Sequence, residues 1–137
     1  MSAPPDLIHV VRQWVEKAQG DLITAEHTLK LEDHCPFETI CFHAQQCAEK
    51  YLKALLTLHA VPFLKIHDLT ALLAVVPKKI ELGLSLLEIA IVNRYAIDVR
   101  YPGDWGAITR EEAEEAVAIA RKVRKAVRAH LPEAAIA

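Results

Sequence analysis

Four polar side chains, His43, Gln46, Lys50 and Lys53, follow one another at spacings of three, four and three residues. On a helix that spacing lines them along one stripe. An imidazole, an amide and two ammonium groups in a row can hold a phosphate and read the edge of a base. The same pattern has a plainer explanation. Glu49 stands four residues before Lys53, and an i,i+4 pair of that kind is ordinary on the outer face of a bundle helix. His43, between Phe42 and Ala44, equally fits a histidine at the boundary of a core.

A second group of candidates lies at 93–105. Asn93, Arg94 and Tyr95 precede Arg100, Tyr101, Pro102, Gly103, Asp104 and Trp105. Arginine grips phosphate through fork-like hydrogen bonds, and aromatic rings stack on bases. The alternative is a structural loop, with its arginines paired to Asp98 and Asp104 and its rings covering the core. His67 and Asp68, adjacent in sequence, read as a helix-start device rather than a catalytic dyad.

Arg124 and His130 satisfy an Arg-x(4–6)-His spacing. In a chain of this arginine and histidine content roughly one such match is expected by chance. Six residues along a helix also leave the two side chains about 120° apart. RNA cleavage needs a base near the 2′-hydroxyl and a cation near the scissile phosphate, held together. Within one chain this pair is poorly placed for that. Cys35, Cys41 and Cys47 are six residues apart, with no C-x-x-C pair, so neither a zinc site nor a disulfide framework is expected. No Gly-rich phosphate loop, His pair at i,i+4 or Gly-x-Ser-x-Gly elbow is present. No cofactor and no metal is implied.

The 137 residues fit one domain, and 53% of them are apolar while only 6% are aromatic. The core must therefore come from Leu, Ile, Val and Ala. The apolar run 82–92 is interrupted by Ser85 and Glu88, far short of the roughly 20 residues of a membrane span. The first residues lack the basic and apolar regions of a signal peptide, so a cytoplasmic protein without membrane contact is expected. Net charge is −2, which excludes a general polyanion binder. Charge is nevertheless uneven: Glu111, Glu112, Glu114 and Glu115 precede Arg121, Lys122, Arg124, Lys125 and Arg128. Acids at the start and bases at the end of one helix match its dipole; a phosphate-binding face is the sharper alternative.

The elements that must carry these residues are helices. Leu7, Val11, Trp14, Ala18, Leu22, Ala25 and Leu29 recur at threes and fours and predict a helix over 6–31, with Asp6 as N-cap. Pro36 can open a second helix running to about residue 60. Its inward face is Ile40, Ala44, Cys47, Ala48, Tyr51, Leu55 and Leu58, and its small residues permit close approach of a neighbour. A short third helix is expected over 67–75, with Leu69, Leu72 and Leu73 inward. A fourth, over 80–95, is so apolar that it should be central or at an oligomer interface. Thr109 and Glu112 form a capping box that opens a last helix reaching about residue 130, with Ala113, Ala116, Ala120, Val123 and Val127 inward. The fold class is all-α: an antiparallel bundle of about five helices in a single domain over 1–137, with its core at about 7–130.

Several strings resemble a known family. Arg12-Gln13-Trp14-Val15-Glu16-Lys17-Ala18, followed by Asp21-Leu22 and Ala25-Glu26, is similar to the opening helix of HEPN domains. The stretch Cys41-Phe42-His43-Ala44-Gln45-Gln46-Cys47-Ala48-Glu49-Lys50-Tyr51-Leu52-Lys53-Ala54-Leu55 resembles that family's second helix. Lys65-Ile66-His67-Asp68-Leu69 looks like its THDL turn, and Asn93-Arg94-Tyr95 with Val99-Arg100-Tyr101-Pro102 matches the stretch before its last helix. The resemblance implies a helical bundle, commonly dimeric. It also implies one of two functions: binding of nucleotide or nucleic acid, often beside a minimal nucleotidyltransferase in toxin–antitoxin-like pairs, or metal-independent RNA cleavage through Arg-x(4–6)-His.

Three expectations follow. The leading one is a non-enzymatic homodimer that binds nucleotide or RNA phosphate, or a nucleotidyltransferase-like partner, through the stripe His43, Gln46, Lys50, Lys53 and the segment carrying Arg94, Tyr95, Arg100 and Tyr101. The second is an RNase toxin with His43 as base and Arg100 or Arg94 as the phosphate-stabilising cation. The third is a structural interaction module with no ligand.

Overall fold

A computed structural model describes residues 4–63, 67–96 and 106–137 of the chain. Regular structure among them is entirely helical: α1 (Pro5–Thr28), α2 (Phe37–Leu58), α3 (Leu69–Ala74), α4 (Leu86–Asn93), α5 (Arg110–Arg128) and α6 (Glu133–Ile136). The all-α bundle expected from periodicity is present, with one short helix more than anticipated.

The first helix buries Val11, Val15, Ala18, Leu22 and Ala25, the stripe its spacing predicts. Its start differs from expectation. Pro4 is the N-cap position and makes no side-chain bond, and Pro5 is the first helical residue. Proline's fixed φ already suits a first turn. Asp6 therefore lies inside the helix, where its charge meets the positive end of the dipole.

The central element is α2. Ile40, Cys41, Ala44, Cys47, Ala48, Tyr51, Leu52, Ala54, Leu55 and Leu56 are all buried, because α1 packs along one side of α2 and α5 along another. The small side chains of Ala44 and Ala48 leave room for the neighbouring backbones to approach. Truncating a fully enclosed residue such as Leu55 to alanine should cost about 2–5 kcal/mol.

The centrality expected of α4 belongs instead to α2. Gly83 adopts φ +67°, a left-handed conformation that no right-handed helix continues through, so 80–84 is an irregular connection. Ser85 then caps the Glu88 amide while Glu88 reaches back to the Ser85 backbone, which starts α4 at Leu86. The resulting eight-residue helix buries only Ile89 and Val92. Leu86 and Leu87 are 70% and 72% exposed.

The Thr109–Glu112 capping box opens α5, and Ala113, Ala116, Ala120, Val123 and Val127 are buried as their spacing predicts. Cys41 and Cys47 are buried, Cys35 is partly so, and none is disulfide-bonded. Burial, with Asp21 nearby, pushes the Cys47 thiol up to about 12, which leaves it an unreactive core thiol. No helix among the described residues is long and apolar enough to cross a membrane.

Candidate functional site

The polar stripe of α2 divides between two carboxylates. Asp21 projects from α1 within the Ala18, Leu22, Ala25 face and is 9% exposed. His43 Nδ1–H donates to Asp21 Oδ1 at 2.8 Å, and Lys50 Nζ donates to Asp21 Oδ2 at 2.6 Å. The carboxylate thus sets the imidazole's tautomer and orientation and leaves Nε2 as the nitrogen for an outside group. The His43 side chain remains 27% exposed.

Gln46 and Lys53 turn the other way. Lys53 Nζ donates to Glu49 Oε2 at 2.9 Å. Gln45 Nε2 donates to Glu49 Oε1 at 3.1 Å, and Gln46 Nε2 donates to Gln45 Oε1 at 2.7 Å. His67 Nδ1–H reaches Glu49 Oε2 at 2.9 Å from the connection before α3. The Lys53 ammonium also sits 5.5 Å from the Trp14 ring centre and 5.7 Å from that of Phe63. Here the i,i+4 pair visible in sequence is a buried ion pair. One helical stripe on α2 therefore holds two separate clusters.

At the start of α3, Asp68 is the N-cap and accepts from the Thr70 and Ala71 amides. The Thr70 hydroxyl, those amides and Asn93 all bond the charged form, which lowers the Asp68 carboxyl below its usual range. Asn93 clasps α4 to this turn: its Oδ1 accepts from the Leu69 amide at 2.8 Å and its Nδ2 donates to Asp68 at 3.0 Å. The helix-start reading thus holds for Asp68, while His67 serves Glu49.

Arg94 lies 3.3 Å from Glu112 Oε2 and 5.1 Å over the Tyr95 ring. Tyr95 is 4% exposed, and burial, with Cys41 next in weight, pushes its hydroxyl up to about 12. It serves the core rather than a stacking surface. Arg100, Tyr101 and Trp105 lie outside the described residues. Arg124 and His130 point to different neighbours: Arg124 Nε donates to Gln19 Oε1 at 2.6 Å, whereas His130 Nε2 lies 3.1 Å from the Glu81 carbonyl. Among the described residues no three His, Cys, Asp or Glu side chains converge to hold a metal.

Asp21 is the residue that reading along α2 missed. A signal for it existed, since one acid interrupts the apolar stripe of α1. Its partners could not be identified without the register of α1 against α2.

The sequence matches the HEPN domain family over residues 11–130. Among solved structures, the chain is similar to TT1696 from Thermus thermophilus, with 32% identity and a TM-score of 0.73 over 88% of this chain and 98% of that one. It is also similar to ST0689, an archaeal HEPN homologue, with 26% identity and a TM-score of 0.70 over 89% of this chain and 98% of the other. No curated protein matches it.

Proposed function

Because the chain belongs to the HEPN family, we propose that it is a binding protein, taking nucleotide or RNA phosphate, or a nucleotidyltransferase-like partner chain, at the outer edge of α2. The observation that carries this reading is the Asp21–His43–Lys50 cluster. Lys50 offsets the Asp21 charge, and the imidazole and the ammonium keep 27% and 23% of their side-chain surface within reach of an outside phosphate. The ring is already oriented, which reduces the ordering cost of binding.

Titration of ATP and of a short RNA at low salt tests the reading. His43→Ala and Lys50→Ala are expected to weaken binding about tenfold each, a loss of about 1.4 kcal/mol. Absence of any binding at low salt, where phosphate contacts are strongest, would remove the phosphate reading.

A second reading has its own support. A carboxylate on His43 Nδ1 is also how a general base is held for proton abstraction, with Arg94 or Arg100 as the cation. Chelator-insensitive RNA cleavage that disappears in His43→Ala would replace binding by catalysis.

The proposed homodimer draws on α4. Leu86, Leu87 and Val75, at 70%, 72% and 45% exposure, leave apolar side chains uncovered at the α3–α4 end, and exposed apolar patches of this sort mark association surfaces. Sedimentation is expected to give a dimer for the native chain and a monomer for Leu86→Asp combined with Leu87→Asp. A native monomer at micromolar concentration overturns it.

A further inference from the structure

The C-terminal half of α5 treats its cations in two ways. Arg121 pairs with Glu26 at 2.6 Å and Lys122 with Glu88 at 2.8 Å. Arg124 and Arg128, one turn apart on a more enclosed face, have no carboxylate partner among the described residues. Arg124 Nε donates to the neutral Gln19 Oε1 at 2.6 Å. Arg128 NH1 donates to the Tyr51 hydroxyl at 3.4 Å, and its NH2 donates to the Ile136 carbonyl at 3.3 Å. The Tyr51 hydroxyl in turn donates to Gln19 Oε1 at 2.5 Å, so Gln19 and Tyr51 brace both guanidinium groups with neutral oxygens. Two partly buried like charges at i,i+4 repel each other, and incomplete pairing of enclosed charge is costly.

Both arginines line a pocket of about 400 Å³ between α1, α5 and α6, together with Arg12, Glu16, Gln19 and Gly20. Arg12 is shared between Glu16 at 3.3 Å and the terminal Ala137 oxygen at 3.3 Å, so it is Arg124 and Arg128 that give the lining side chains their excess of positive charge. Gly20 opens this wall, since a Cβ built there would meet nothing within 4 Å. We infer that this pocket binds a phosphate group in its dianionic form, held by Arg124 and Arg128. Guanidinium forks match phosphate oxygens bidentately, and the volume falls in the range of small-ligand sites. Neither His43 nor Lys50 lines this pocket, and the inference does not depend on the function proposed for them.

Calorimetry and thermal unfolding with inorganic phosphate at pH 7.5, against chloride of equal ionic strength, test it on the full chain. Phosphate is expected to bind and to raise Tm, with Arg124→Gln weakening the affinity about tenfold or more. Gly20→Glu should do the same by placing a carboxylate beside the guanidinium groups, in a helix that gains from losing its glycine. Arg124→Gln should weaken phosphate binding by the same factor in the native chain and in a chain already lacking the His43 imidazole, as independent sites require. AMP and a 5′-phosphorylated RNA oligonucleotide then distinguish the carrier: whichever exceeds inorganic phosphate in affinity, and loses that affinity in Arg124→Gln, names the source. The inference is overturned if phosphate raises Tm no more than chloride, or if folded Arg124→Gln and Gly20→Glu both bind phosphate like the native chain.

Discussion

On α2 the Asp21–His43–Lys50 cluster and the Glu49–Lys53–His67 cluster each join a carboxylate, an imidazole and an ammonium group, but they bury different members. In the second, Glu49 and Lys53 keep 2% and 7% of their side-chain surface while His67 keeps 54%. In the first, exposure is shared, at 11% for Asp21, 27% for His43 and 23% for Lys50. The closed pair fastens α2 beneath Trp14 and Phe63. The open cluster ties α1 to α2 and still presents an oriented imidazole. Identical chemistry thus gives a closed anchor or a half-open cluster according to which group reaches water.

The comparison breaks most visibly at Glu49. Glu49→Ala leaves Lys53 buried without its counter-charge, and a loss of about 3–5 kcal/mol is expected in urea unfolding. A loss below about 1 kcal/mol, the range of exposed pairs, would mean that Lys53 escapes to solvent and that the two clusters are alike. Asp21→Asn should cost less, about 2 kcal/mol, because Lys50 and His43 keep access to water. It should also weaken any ligand held by His43, whose ring loses its orienting carboxylate. Double-mutant cycles sharpen the contrast: the Glu49/Lys53 coupling should exceed the Asp21/Lys50 coupling.

Asp68, beside His67, tests how the connection into α3 is held. Asp68→Ala removes the cap and should cost about 1 kcal/mol at neutral pH. Its folded carboxyl lies below the usual range, so the unfolded chain takes up its proton first as pH falls. The contribution is complete above the unfolded value of about 3.9 and fades as pH drops through the lower folded value. The variant should accordingly lose less stability than the native chain across that acid window. His67→Ala should have the smallest effect, about 0.5 kcal/mol, because the imidazole is exposed and Glu49 retains Lys53 and Gln45. A loss equal to that of Glu49→Ala would make His67 an equal partner in the closed cluster.

The stripes of α1, α2 and α5, the Thr109 capping box and the Asp68 start of α3 were legible in the chain because each depends on residues three or four apart. The open cluster was half legible. His43 and Lys50 share a stripe, whereas Asp21 joins them from more than 20 positions away and only when α1 and α2 pack in register. Hydrophobicity alone pointed to α4 as either a central helix or an oligomer interface. Gly83 shortens that helix, and α2, which carries more charge, takes the middle because its buried carboxylate Glu49 brings its own cation, Lys53, inside.

By itself, then, the sequence determined the helical class, most inward faces and the family resemblance, all of which follow from local periodicity and motif order. Tertiary packing decided which helix lies at the centre, which carboxylates Lys50 and Lys53 meet, and which arginines of α5 meet none among the described residues. Those outcomes depend on distances between helices, and no spacing along a single helix contains them.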